Sequence, residues 1–497
     1  MQTRRATALS DSASASLLVN GKLLKLPAGN MGVNLRFSGD TSALRSTSEE
    51  AGLASTRTAR RTNGGAQISI DVPITSRRNG FLSALGTLTA NANASVTQYS
   101  DYGALGTFGY GLSWTPRTGI SFIAAINNDR SAPTLEERNA PTITTSNVRI
   151  YDYVRSESAT VTQVSGGNQD LRADNRHQLK LGATVKPWSK RNLSLSANYV
   201  SSRTRNAIID LSGAAPALEE AFPDRYERDE DGTLIRINSR PVNVAREDRE
   251  QFRWGINFTS VLRAPRRPTP PPGFAPPPGL DGASPPDDAD ILVTGRRGED
   301  GAPMPPPGGP PGGGRGGPGG MGPPPPGGPG GGPFGGGSDN GARLQFSLYH
   351  SMVLRNAVLL REGSNWIDLL DGGTLGGTAQ SRHSVQLSSG IIDNGVGLRI
   401  DSNWKSSAHV SGDQSQAGSD LRFGSLLTFD LRLFANMANR FRGQIWARGM
   451  RVSLSVENML NSRQTVTDAS GATPLAYQKA YLDPEGRTVL LTLRKIL

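Results

Sequence analysis

The chain has 497 residues, 35% hydrophobic and 6% aromatic, with a formal net charge of +11. It contains no cysteine, which excludes disulfide frameworks, thiolate metal sites and cysteine nucleophiles. No run of about 18 apolar residues occurs, so no transmembrane helix is expected, and the charge reads as a basic surface, without a nucleic-acid fold motif.

In chain order, the start MQTRRATALSDSASASLLVNGKLLKL has basic residues but no continuous apolar stretch, so it does not read as a signal peptide. Alternation of period two then recurs to the end. LTANANASV (88–96) sets Leu88, Ala90, Ala92, Ala94 and Val96 against Thr89, Asn91, Asn93 and Ser95. NLSLSANY (192–199) places Leu193, Leu195, Ala197 and Tyr199 on one side. QFRWGINFT (251–259) does the same with Phe252, Trp254, Ile256 and Phe258, and TFDLRLF (428–434) with Phe429, Leu431 and Leu433.

About fifteen such strands are expected, each long enough to cross a bilayer when tilted. They fall near 14–25, 29–38, 66–75, 82–99, 103–115, 119–130, 175–187, 191–209, 249–263, 342–355, 380–392, 394–409, 419–435, 449–460 and 484–496. Tyr110, Trp114, Tyr199, Trp254, Tyr349 and Trp404 sit on them, where an interfacial girdle would use aromatic rings. Short turns are expected at 26–28, 76–81, 116–118, 188–190 and 393–395. Long charged loops are expected at 39–65, 131–174, 210–248, 356–379 and 461–483. Alternating short turns and long loops is the habit of outer-membrane barrels. The fold class is therefore all-β: an antiparallel transmembrane β-barrel, here a partial barrel.

The stretch 264–341 differs from the rest. Its Pro/Gly run PPPGGPPGGGRGGPGGMGPPPPGGPGGGPFGGG (305–337) cannot bury enough apolar surface to offset the entropy of ordering. We expect a disordered insertion dividing barrel strands in 1–263 from C-terminal barrel strands in 342–497. Six strands follow it, an even number, which places it at the short-turn end.

No catalytic constellation and no cofactor site are read, so no enzyme is expected. His177, His350, His383 and His409 show no metal-ligand spacing and read as isolated polar residues. Glu219, Glu220 and DRYERDEDG (224–232) form an acidic loop; Asp229 and Asp231 have Asp-x-Asp spacing without an EF-hand frame, which favours a solvated loop over a calcium site.

RSAPTLEERNAPT (130–142), GNQDLRADNRHQLKLGATV (167–185) and the closing VSLSVENMLNSRQ…LTLRKIL, with NMLN at 458–461, resemble in that order the barrel of TonB-dependent outer-membrane receptors. Gln169 stands where that pattern has Pro, and Ala173-Asp174 where it has Pro-Glu. The resemblance implies a barrel of about 22 strands with a plug, of which roughly seven strands and the plug are not in this chain. It implies a location in the outer membrane of a Gram-negative bacterium and energised uptake of a scarce ligand, such as a siderophore or other metal chelate. Its implied partners are outer-membrane lipids and lipopolysaccharide, the barrel-assembly machinery and the TonB–ExbB–ExbD complex. Leu491, Leu493 and Leu497 correspond to the family's assembly signal, which usually ends in Phe. DADILVTGRRGED (288–300) resembles a segment found near the TonB box, with Ile291, Leu292, Val293 and Thr294 as its β-prone core. A passive porin-like barrel or a non-functional remnant are the alternatives. The loops 131–174 and 210–248 are the expected ligand-facing surface.

Overall fold

A computed structural model of the chain describes residues 5–50, 53–188, 192–211, 213–263, 342–377, 379–412, 420–441, 443–482 and 485–495. The insertion 264–341, with Ile291, Leu292, Val293 and Thr294, lies outside the described residues, as does Leu497.

Fifteen strands form one antiparallel sheet in sequence order. They are β1 (Arg5–Leu26), β2 (Gly29–Glu50), β3 (Leu53–Thr75), β4 (Thr87–Tyr99) and β5 (Gly103–Arg117). Next come β6 (Ile120–Ser131), β7 (Asp174–Val185), β8 (Asn192–Ile209), β9 (Val242–Arg263) and β10 (Ala342–Leu359). The last are β11 (His383–Asp393), β12 (Val396–Lys405), β13 (Leu426–Asn436), β14 (Met450–Glu457) and β15 (Thr488–Lys495). A short strand, Trp366–Asp368, adds to β10. Among the described residues β1 and β15 do not pair, so the sheet is an open, partial barrel wall.

The alternation explains the register. Leu193, Leu195, Ala197 and Tyr199 of β8 lie opposite Phe258, Ile256, Trp254 and Phe252 of β9. These lie opposite Phe346, Leu348, His350 and Met352 of β10. The same face continues through Val385 and Leu387, Ile400 and Leu398, Leu431 and Leu433, and Leu454 and Val456, to Leu491 and Val489. A one-residue slip anywhere would turn a whole apolar row to the polar side. The other face is polar, and there Tyr349 departs from the girdle expectation. Its hydroxyl donates to Asn257 Oδ1 at 2.7 Å and Arg253 lies over its ring at 4.3 Å. The ring occupies the space beside Gly255, where a Cβ would fall 2.2 Å from it. Tyr110, Trp114, Tyr199, Trp254 and Trp404 are on the apolar face.

One end of the wall carries the links 27–28, 76–86, 118–119, 186–191, 394–395 and 437–449; the chain also leaves β9 and enters β10 there. The other carries 51–52, 100–102, 132–173, 210–241, 360–382, 406–425 and 458–487. Three expectations are corrected. The stretch 39–65 is not a loop: β2 and β3 pair through it from Gly39↔Gly64 to Glu50↔Leu53. Its Ser and Thr residues give no apolar face, and backbone hydrogen bonding together with cross-strand pairs such as Thr41–Thr62 (3.3 Å between hydroxyls) makes the ladder. The turn expected at 76–81 runs to residue 86 and contains a 3₁₀ turn, Ser83–Leu85. The strands expected over 394–409 and 419–435 stop at Lys405 and resume at Leu426; between them lie two short strands of a separate sheet.

The buried clusters lie at the long-loop end. One gathers Ile209, Leu211, Leu218, Val244, Val358 and Leu360; a second Tyr153, Val410, Leu421, Phe423 and Val466; a third Ala159, Val161, Ala214, Leu234 and Ile237.

Candidate functional site

The long-loop end is fastened to the wall by the segments that carry the family resemblance. Thr134 caps the helix Leu135–Asn139 (α1): its hydroxyl accepts from the Glu137 amide at 3.0 Å, and Glu137 accepts back from the Thr134 amide at 2.7 Å. Arg61 of β3 lies against this corner with its side chain almost buried. It forks onto Asp101 (Nε–Oδ1 2.9 Å, Nη2–Oδ2 2.7 Å) and donates from Nη1 to the Pro133 carbonyl at 2.6 Å. Tyr99 and Tyr102 flank the guanidinium at 5.7 and 5.4 Å. Asp101 also accepts from Arg138 at 3.0 Å.

The second motif docks on the first. The Asn168 amide donates to the Glu137 carbonyl at 2.8 Å, and Gln169, in the family's Pro position, donates to Asn139 Oδ1 at 3.3 Å. Gly167 permits this approach, since a Cβ there would come 2.4 Å from the Arg138 backbone. NMLN has a similar local reason. Asn458 and Asn461 adopt left-handed φ of 47° and 54°, and the Asn458 side chain exchanges two 2.8 Å hydrogen bonds with Ser462.

The loops 131–174 and 210–248 come together. Ile143–Asp152 and Glu157–Ser165 from the first, with Tyr226–Arg228 and Leu234–Asn238 from the second, form a four-stranded sheet. Arg228 ties the two. It donates to Asp152 Oδ2 at 2.7 Å and grips Glu219 through Nε (2.8 Å) and Nη2 (2.7 Å). These hydrogen bonds, to Glu219 first and Asp152 second, hold the guanidinium pKa above its ordinary value. Asp152 is fully buried. Part of the supposed solvated acidic loop is therefore packed. Asp229 Oδ1 closes a turn by accepting from the amides of Asp231 (3.1 Å) and Thr233 (2.7 Å). Among the described residues no group of three or more potential metal ligands converges.

A third piece joins distant loops. Ala408–Val410, Leu421–Phe423 and Val466–Thr467 make a three-stranded sheet. Val410, Leu421, Phe423 and Val466 point into the core with Tyr153 and Tyr477. The two phenol oxygens are 2.7 Å apart and both reach the Gly377 carbonyl, at 3.0 and 2.9 Å. Burial pushes the Tyr153 pKa up to about 12 and raises that of Tyr477. His409, Arg422 and Thr467 occupy the opposite face and, with Asp420, supply the charged and polar side chains of a mixed cleft of about 470 Å³. It combines an imidazole, a guanidinium and a carboxylate, groups able to orient a small polar or anionic ligand. Sequence reading passed over it because its residues come from separate segments.

Register also brings together two histidines expected to be isolated. Trp254 Nε1 donates to His350 Nδ1 at 3.0 Å, so His350 carries its proton on Nε2, which faces His383 Nδ1 at 3.1 Å. His177 meets Asn128 at 2.7 Å, and His409 lies 3.9 Å from Asp371. Leu491 and Leu493 are exposed on β15, facing the same way as Leu454 and Val452.

No protein-family model matches the chain, and no curated protein matches it. Among solved structures, a ferric enterobactin receptor variant from Pseudomonas aeruginosa in complex with enterobactin is 12% identical, with a TM-score of 0.48 and 98% of this chain covered. The outer membrane transporter YddB from Escherichia coli is 12% identical (TM-score 0.49, 97% covered), and the siderophore receptor PirA from Acinetobacter baumannii 9% identical (TM-score 0.47, 99% covered). The chain spans 54%, 54% and 55% of these three structures, respectively.

Proposed function

We propose that the chain is barrel wall and outer loops of a TonB-dependent receptor in a Gram-negative outer membrane, serving energised uptake of a small scarce ligand such as a metal chelate, with no enzymatic step. The observation that carries this reading is the continuous apolar face of a fifteen-strand antiparallel sheet whose long links, the insertion aside, all fall at one end. An exposed apolar face of that extent fits a wall with lipid on one side. The ordered motifs at 130–142, 167–185 and 458–461 support the family.

On this reading the packed loops face outward and receive the ligand, with His409, Asp420 and Arg422 in contact with it. The links at 76–86 and 186–191 face the periplasm, as does the insertion 264–341, which would reach about 50 Å as a random coil. That puts Ile291, Leu292, Val293 and Thr294 on the side where TonB works. Leu491, Leu493 and Leu497 serve barrel assembly. The edges of β1 and β15 are to be paired by further strands of a longer wall, since open edges invite aggregation.

The absence of native cysteine makes a direct test available. In intact cells a membrane-impermeant maleimide should label Asp229→Cys and leave Arg78→Cys unlabelled until the outer membrane is broken. Equal labelling of both in intact cells would refute the topology. Uptake that stops when the proton-motive force is collapsed distinguishes the energised receptor from a passive pore.

A further inference from the structure

The apolar face of the wall is not uniform. In one cross-strand row Trp114 and Phe122 are followed by Ala183 and Ala197; in the next, Ala124 precedes Leu181 and Tyr199. Small side chains between rings leave an apolar groove of about 690 Å³. Its sides are held in place. Trp114 Nε1 donates to the Leu85 carbonyl at 2.9 Å and its ring lies 5.5 Å from that of Phe122. The Tyr199 hydroxyl donates to Glu250 at 3.0 Å.

A second observation concerns charge. The groove approaches the short-turn end, where segments 76–86, 116–119 and 186–188 carry Arg77, Arg78, Arg117 and Lys186 and no Asp or Glu. All four side chains are exposed. The three turns are tied into one rim: Arg77 donates to the Pro116 carbonyl, and the Lys186 amide donates to the Gly119 carbonyl at 2.6 Å. The opposite end differs, for loop 210–241 alone carries Asp210, Glu219, Glu220, Asp224, Glu227, Asp229, Glu230 and Asp231.

We propose that the groove and its basic rim form a binding site for an anionic phospholipid. One acyl chain lies along Ala124, Ala183 and Ala197, and the phosphate sits among Arg77, Arg117 and Lys186. The inference rests on the membrane reading above. Apolar walls alone would accept any lipid; the acid-free rim selects a negative headgroup, because each cation near the surface adds to the attraction. Rings fixed before binding lose little further freedom when a chain enters.

The test uses the full chain reconstituted in phosphatidylcholine bilayers, with a small equal fraction of phosphatidylglycerol or phosphatidylcholine brominated on its acyl chains. The contribution of Trp114 is isolated by difference against Trp114→Phe, since the chain has 6 tryptophans. Brominated phosphatidylglycerol should quench Trp114 about tenfold more effectively than brominated phosphatidylcholine. The triple variant Arg77→Glu, Arg117→Glu, Lys186→Glu should bring the two lipids level while the β-sheet circular dichroism of the reconstituted chain is retained. Equal quenching in the parent chain overturns the site and leaves the membrane reading standing. A Trp114 that neither lipid quenches overturns both.

Discussion

The wall and the packed loops at its long-loop end dispose of their apolar atoms in opposite ways. In the wall, Leu195, Trp254, Ile400, Leu433 and Leu491 stay exposed on one continuous face. In the loops, Leu218, Leu234, Ile237, Val410 and Leu421 are almost completely buried among one another. The wall thus keeps its apolar face outside the buried clusters and is held by its hydrogen-bond ladder. The loops carry their own interior and their own buried ion network, as a water-soluble domain does. Two kinds of stability in one chain should respond differently to the same perturbation.

The sharpest break of that contrast is expected at Arg228. Arg228→Ala leaves the fully buried Asp152 with backbone donors such as the Val154 amide at 3.0 Å and no countercharge. The local cost should be about 3 kcal/mol. Hydrogen exchange should accelerate across 143–165 and 226–238 while β11 to β14 keep their protection. Acceleration of both together would mean that loops and wall unfold as one unit.

Alkali should separate the regions next. Tyr153 titrates near 12 in the folded loops because burial disfavours its phenolate, against about 10 in the unfolded chain. The folded value is raised, so the stabilisation is fully present below pH 10 and is lost as pH rises toward 12. Tyr153 alone then accounts for on the order of 2 kcal/mol. Exchange protection around 408–410, 421–423 and 466–467 should fall over that interval. Tyr153→Phe should reduce the pH dependence to the part that buried Tyr477 still supplies. An identical alkaline profile in that variant would place the effect elsewhere.

A smaller effect is expected where loop meets wall. Asn458→Ala keeps the left-handed φ of 47° without the side chain that closes the turn on Ser462, and should cost about 1 kcal/mol. Asn458→Gly should recover part of it by removing the strain, though not the hydrogen bonds. Thermal unfolding of the pair separates the two contributions.

How much of this was legible follows the same division. Within 192–199 of β8 and 251–259 of β9 every second residue is apolar, so strand and face could be read there, while the register was fixed only to within a slip of two residues. Between Gly39 and Gly65 neither face is apolar, and the strand exists only through its partner, which a local pattern does not record. The Trp254–His350–His383 contact joins strands whose register must be known first. The interior of the loops was the least legible. Asp152, Glu219 and Arg228 lie in separate segments, and nothing near any one of them in sequence indicates the other two. The motifs at 134–139 and 167–169 were visible as residues, while their role as the clasp between loop and wall required the structure.

The smallest effect is also the most direct comparison. Leu433 in β13 and Leu234 in the loops have the same side chain. Leu234 is completely buried; Leu433 is 40% exposed between Leu398 and Leu454. Leu234→Ala should cost about 3 kcal/mol, because the transfer energy is lost and a cavity remains. Leu433→Ala should cost about 1 kcal/mol or less in a bilayer, where a lipid chain takes up the vacated space and little cavity persists. Denaturant unfolding in vesicles, followed by exchange at each region, measures both. A wall deletion as costly as the loop deletion would mean that Leu433 packs against protein rather than lipid, and the apolar face would then be an interface between proteins.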